Sequence, residues 1–107
     1  MRKLYIVKTT RQFEDIITTG KCYKNKYFVI YNKDNNLKYD RFGISVTKKL
    51  GNAVFRNKYK RIIRSILDKY KKLYINHKDY IIILRKEAVD CDYEILKKEL
   101  ISLINHN

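Results

Sequence analysis

The run from Asn52 to Lys72 constrains this chain more than any other stretch, because its apolar and cationic residues separate at the helical period. At about 100° per residue, with Arg56 at zero, Lys60 falls at ~40°, Arg64 at ~80°, Asn57 at ~100° and Arg61 at ~140°. Ile62, Phe55, Ile66, Tyr59, Tyr70 and Ile63 fill the arc from ~240° to ~340°, with Leu67 on the seam at ~20°. One side of such a helix buries against a core. The other presents three guanidiniums, an ammonium and an amide. Three of the chain's seven Arg lie in the nine residues 56–64. No acid on that face precedes Asp68. Like charges at i, i+4 and i+8 repel and cost helix stability, so the face calls for an anionic partner. The plainer reading is a solvated basic face. Against it stand the clustering of Arg, whose planar fork suits phosphate oxygens, and the modest helix former Asn57 set among them.

A length of 107 residues fits one domain with a single modest core. The formal charge of +14 points to a polyanion, nucleic acid ahead of an anionic membrane surface. The 18 Lys weigh less than the Arg cluster, since a chain rich in Ile, Lys, Asn and Tyr is what an AT-biased genome encodes. Cys22 and Cys91 are far apart, His77 and His106 are isolated, and no Cys/His spacing suits a metal, so incidental or buried thiols in an intracellular protein are expected. No apolar run reaches the ~18 residues of a membrane span. No apolar signal region opens the chain.

Residues 1–8 read as a short basic loop or arm. Thr9 or Thr10 can cap a first helix to about Thr18, with Phe13, Ile16 and Ile17 as its apolar face and Gly20 as its stop. Phe13 and Ile17, four apart, sit side by side, either as plain core or as part of a site. Cys22 to Asn32 reads as a strand with Tyr27, Val29 and Tyr31 on one face and Phe28 and Ile30 on the other. A polar turn follows, and Leu37 to Thr47 resumes as one or two strands. There Phe42, Ile44 and Val46 share a face, while Arg41, Gly43, Ser45 and Thr47 share the opposite one. Small and polar groups beside a Tyr-bearing strand suit an unpaired RNA strand, by base stacking and backbone approach, and equally suit an ordinary half-exposed sheet face. Gly51 permits a tight connection and Asn52 caps the basic helix. Asp79 to Arg85 is a buried strand, residues 86–92 a loop, and Tyr93 to Ile104 a last helix with Ile95, Leu96, Leu100 and Leu103 toward the sheet. The predicted fold is α+β, a two-layer sandwich in the order α-β-β-β-α-β-α with a small mixed sheet, as a single RNA-binding domain over residues 1–107. A parallel pair around the basic helix would be right-handed by the general rule.

The segment Ser45-Val46-Thr47-Lys48-Lys49-Leu50-Gly51-Asn52-Ala53-Val54-Phe55-Arg56-Asn57 resembles the protein subunit of bacterial ribonuclease P. That family carries Arg-Asn-x-x-Lys-Arg-x-x-Arg on a helix, after a Lys-Lys-x-Gly-Asn-Ala-Val approach; Arg56, Asn57, Lys60, Arg61 and Arg64 match every fixed position. The resemblance runs over about residues 9–104. It implies a left-handed crossover at the basic helix, against the general rule. It also implies a cytoplasmic ribonucleoprotein that removes the 5′ leader of precursor tRNA by Mg²⁺-dependent hydrolysis. Catalysis and most of the Mg²⁺ belong to the RNA subunit, and no residue of the protein is catalytic or a metal ligand. Lys48, Lys49, Asn52, Arg56, Asn57, Lys60, Arg61 and Arg64 would contact that RNA. Phe13, Ile17 and Tyr31, joined by Tyr27, Arg41 and Ser45 from the strand faces, would line the leader site. The implied partners are the ribonuclease P RNA and precursor tRNA, with no membrane and no small-molecule substrate. Ile17 replaces an aromatic common in the family, and Lys86 stands where Pro is common.

Composition separately opposes an autonomous nuclease, which needs clustered carboxylates to hold divalent ions. The 11 acids here are scattered, and Glu14, Asp15, Asp90 and Asp92 sit near helix ends where they complement the dipole. Two rival functions stay open: a generic RNA-binding or ribosome-assembly module, and a protein-only endonuclease.

Overall fold

The computed structural model describes residues 6–71 and 76–105. Residues 1–5 of the basic arm, Lys72 of the helical run and His106 lie outside them. Seven regular elements follow in the expected order: α1 (Thr10–Thr19), β1 (Lys21–Lys24), β2 (Phe28–Asp34), β3 (Arg41–Ser45), α2 (Ala53–Lys71), β4 (Lys78–Leu84) and α3 (Tyr93–Asn105). Single 3-10 turns at Lys48–Leu50 and Lys86–Ala88 lead into α2 and α3.

The strands before α2 divide differently from the sequence reading. The stretch from Cys22 to Asn32 is a hairpin, not one strand. Asn25 breaks it: its Oδ1 accepts the N–H groups of Tyr27 and Phe28, both at 2.9 Å, a local turn that competes with the ladder. The stretch from Leu37 to Thr47 keeps only β3. Asn35 Oδ1 accepts from Leu37 N–H, and Asn36 takes a left-handed φ of 47°, so residues 35–40 loop before the strand begins.

The sheet runs β1-β2-β4-β3, with β1–β2 and β2–β4 antiparallel and β3–β4 parallel, so it is mixed and α2 is the crossover between the parallel strands. The central strand β4 is paired on both edges and buried along most of its length, as its continuous apolar run requires. The sandwich is formed by the sheet with α2 and α3. Phe28, Ile30, Phe42, Tyr80 and Ile82 from the sheet meet Tyr59, Ile63, Ile66, Leu67 and Tyr70 of α2 and Leu96, Leu100 and Ile104 of α3. Ile95 is the one expected core position of α3 that turns outward. Helix α1 covers part of the opposite face, where Val7, Ile16 and Ile81 form a smaller core with Phe13, Tyr31 and Ile83 at its margin. Thr9 starts that helix with a complete capping box with Gln12. The segment before it is more than a loose arm: Val7 is buried and its N–H donates to Phe42 O at 3.0 Å.

A buried carboxylate ties the starts of β3 and β4 together. Asp40 accepts the N–H of Asn76 at 3.1 Å and that of Lys78 at 2.8 Å. Asp40→Ala strands both donors, so stability to urea should fall by about 1–3 kcal/mol. Asp40→Asn keeps one acceptor oxygen and should lose less; equal losses would mean that the carboxylate acts in some other way.

Candidate nucleic-acid interface

Helix α2 is held by its first turn and its approach loop. Asn52 Oδ1 accepts Phe55 N–H at 3.0 Å, the expected cap. Gly51 is needed for a close approach: a Cβ there would stand 2.5 Å from the Phe55 ring. That ring tilts against Tyr59, with centroids 4.8 Å apart, and fixes the loop on the helix. Arg56 closes the turn, its Nη1 donating to Gly51 O at 3.2 Å. One arm of Arg56 is therefore engaged in shaping the loop, which leaves it half-buried.

The rest of the cationic arc is unengaged. Asn57, Arg61 and Arg64 are exposed and Lys60 is half-buried. Among the described residues, none of these four side chains has a hydrogen bond or an ion pair. Lys48 and Lys49, in the 3-10 turn beside the helix start, are exposed as well. Like charges share one rod with no internal neutralisation, which concentrates positive potential along it. Val54 is 78% exposed on the first turn next to this arc. A lone apolar residue in a cationic arc gives no periodic signal, so Val54 stands out in the sequence only as part of the approach motif.

A second surface lies on the α1 side of the sheet. Phe13 rests on Gly43, where a Cβ would come within 2.5 Å of the Phe13 ring and 2.8 Å of Ile81. The small residue in β3 thus lets α1 sit close at that end. Beyond it the sheet is uncovered. The register aligns Cys22, Tyr31, Ile81 and Gly43 in one row and Lys24, Val29, Ile83 and Ser45 in the next. In the outer row Val29, Ile83 and Ser45 are half-buried and Lys24 is exposed. With Phe13 half-buried and Ile17 38% exposed on α1, these rows make an open groove with an apolar floor, an aromatic at Tyr31 and an ammonium at its edge. The Tyr31 hydroxyl is pushed above its ordinary pKa, first by the negative charge available to Cys22 across the strand pair, then by a hydrogen bond with that thiol, then by burial. It stays neutral at physiological pH, as a stacking surface should. Val29 and Ile83 were missed as floor residues. Val29 was legible from its alternation with Tyr31, whereas Ile83 sits in an unbroken apolar run that marks no face.

Of the other two expected groove residues, one is engaged in an ion pair and one lies outside the groove. Arg41 makes a two-pronged ion pair with Asp79, Nε to Oδ1 at 2.8 Å and Nη2 to Oδ2 at 2.5 Å. Asn35 Nδ2 donates to the same carboxylate at 2.9 Å. The pair holds the Arg41 proton more firmly, the hydrogen bond to Asp79 being the main cause. Arg41 is thereby a brace between β3 and β4 and not a free cation. Tyr27 falls in the β1–β2 turn, outside the alternation of β2, and packs against the larger core with the Lys26 ammonium 5.7 Å from its ring centroid. Phe13 and Tyr31 meet at the margin of the smaller core, Ser45 lies in the next row of the same sheet face, and Ile17 is exposed on α1.

Among the described residues no group of three or more His, Cys, Asp or Glu is placed to hold a metal ion. Asp15, one of the acids weighed earlier, is paired with Lys33 at 2.7 Å. Cys22 is exposed rather than buried, and Cys91 is half-buried with its Sγ 3.2 Å from Glu87 O. No described helix is long and apolar enough to cross a membrane.

The chain as a whole matches a family of known proteins. The family model described as Ribonuclease P matches residues 1–107. The "Ribonuclease P protein component" of Mycoplasma capricolum is 46% identical over 105 residues, covering 97% of this chain and 96% of that protein. Among solved structures, the RNase P protein of Staphylococcus aureus superposes with a TM-score of 0.86 at 38% identity, over 94% of this chain and 93% of that one. The RNase P protein of Thermotoga maritima gives a TM-score of 0.88 at 32% identity, over 94% and 96%. Matches of this extent leave no part of the fold unaccounted for, and the chain belongs to the ribonuclease P protein family.

Proposed function

We propose that this chain is the protein subunit of a ribonuclease P ribonucleoprotein, in which it binds the catalytic RNA through α2 and the 5′ leader of precursor tRNA through the groove beside α1. The observation that carries the reading is the unengaged arc of Asn57, Lys60, Arg61 and Arg64, extended by Lys48 and Lys49. Arg and Lys on a rigid helix neutralise phosphates and release counterions, the dominant source of RNA affinity. Arg56 and Asn52 act mainly by holding the approach loop in the shape that presents the arc. The groove supports the second contact: Tyr31 and Phe13 offer faces for unpaired bases, and Ser45 and Gly43 let a backbone come near. Arg41, on the same sheet face one row from Gly43, braces β3 against β4 at the far end of that groove through Asp79.

In this reading hydrolysis belongs to the RNA. When bound by that RNA, magnesium would supply a nucleophilic water and charge stabilisation, with no described residue of this chain grouped to hold the ion. The scattered carboxylates of the chain suit a protein that leaves ion binding to its partner, and its own part is to position the precursor and lower electrostatic repulsion between the RNAs. The site of action is the cytoplasm, where tRNA precursors are made in a bacterium.

The first experiment is precursor tRNA cleavage at low magnesium with a bacterial ribonuclease P RNA, with and without the chain. Cleavage at the mature 5′ end only with both present is expected. Cleavage by the chain alone would make it a nuclease in its own right, and no stimulation with any RNA subunit would leave a generic RNA binder. Arg61→Ala should weaken assembly with the catalytic RNA by about 1–3 kcal/mol, as for a charge-assisted contact; an unchanged dissociation constant would remove Arg61 from the interface. Tyr31→Ala should weaken binding of precursor tRNA by about 1–3 kcal/mol and leave mature tRNA unaffected. Equal losses on both substrates would place Tyr31 outside a leader site.

A further inference from the structure

At the end of the sheet where β3 and β4 finish, an open cavity of about 660 Å³ separates the loop entering α2 from the loop entering α3. Leu50, Leu84 and Val89 supply apolar walls; Thr47, Lys49, Lys86 and Asp90 supply polar ones. Its place is informative. Ser45 and Ile83 end the groove beside α1, and Thr47 and Leu84 begin the cavity one or two residues further on. Lys49 belongs to the approach loop of the cationic helix. The cavity therefore opens beside the start of the cationic helix, at the end of the sheet where the groove strands finish.

Its chemistry is more selective than that of a phosphate site. Two ammoniums suit a phosphate, but a bare phosphate has no use for an apolar wall and is repelled by Asp90. Among the described residues, the side chains of Thr47, Lys49, Lys86 and Asp90 take no hydrogen bond or ion pair. Asp90 is nonetheless held in place: its φ is 68°, and its N–H donates to the Tyr59 hydroxyl at 2.9 Å. The backbone that carries it is thus set, and its unengaged carboxylate offers two acceptor oxygens side by side. Of the four RNA bases, only guanine presents two adjacent donors, N1–H and the N2 amino group, on its pairing edge.

We propose that this cavity takes one unstacked guanine nucleotide of the bound RNA. Asp90 accepts from the pairing edge, the Leu50–Leu84–Val89 walls cover the base, and Lys49 and Lys86 hold its phosphate. The inference rests on the RNA-binding reading above and extends it to a base-specific contact beside the approach loop of the cationic helix.

The test is a titration of the isotopically labelled full chain with guanosine, adenosine, cytidine and uridine monophosphates and with inorganic phosphate, followed by NMR. Guanosine monophosphate should shift the amides of Thr47, Val89 and Asp90 and bind about fivefold or more tightly than the other nucleotides. Asp90→Asn suits the left-handed backbone, since Asn adopts it readily, but it replaces one acceptor with a donor. It should abolish the guanine preference while leaving the amide spectrum elsewhere unchanged. An equal response to all four nucleotides, a response to phosphate alone, or no response at these amides would overturn the proposal. In the assembled ribonucleoprotein with precursor tRNA, ultraviolet crosslinking should attach guanine to residues 84–90. Absence of that crosslink from a particle that still cleaves precursor would overturn the pocket and leave the subunit role standing. Failure of any particle to form would overturn both.

Discussion

The seating of α2 on the sheet fixes everything else. Tyr59, Ile63, Ile66, Leu67 and Tyr70 bury one side of the helix completely against Phe28, Ile30, Phe42, Tyr80 and Ile82. Burial of side chains this size stabilises by roughly 1.5–3 kcal/mol each, far more than the mutual repulsion of four cations on a solvated face costs. Rotating the helix would exchange buried apolar groups for buried guanidiniums, so its orientation has a single solution. The cationic arc faces outward because the opposite stripe cannot.

The two faces of the sheet do different work. On the α2/α3 face the side chains are large and interlocked, and little is accessible. On the α1 face one short helix covers only part of the area, and the uncovered rows remain a groove. Gly43 sets how close α1 sits, and the Arg41–Asp79 pair braces the same strands at the far end. A residue with the charge and the strand position of an RNA contact is thus occupied in holding the groove's framework. A buried pair of this kind costs more when one partner is removed than it contributes when intact, because the survivor is left as an uncompensated charge.

Much of the fold was legible because its strongest signals are local. The helical period of residues 52–71, the capping residues Thr9 and Asn52, and the apolar run of β4 each reflect interactions within a few residues. The misplaced boundaries have an equally local cause that periodicity does not capture. Asn25 and Asn35 bond to neighbouring backbone and turn the chain inside stretches whose composition otherwise reads as strand. The groove was half legible: alternation put Tyr31 and Val29 on one face, but the unbroken apolar run of β4 concealed that Ile83 joins them.

By itself the sequence determined which helix is cationic, which residues form its arc, and that a matching apolar stripe must be buried, because all of these follow from the period of one helix. Tertiary structure decided which of those cations are free and which are engaged, since Arg56 bonds to its own approach loop and Arg41 to Asp79 across a strand pair. It also decided that the ends of β3 and β4 enclose a cavity with Lys49, Lys86 and Asp90 around it. Those residues lie up to some forty positions apart in the chain, and only the parallel pairing of β3 with β4 brings their loops to the same end of the sheet.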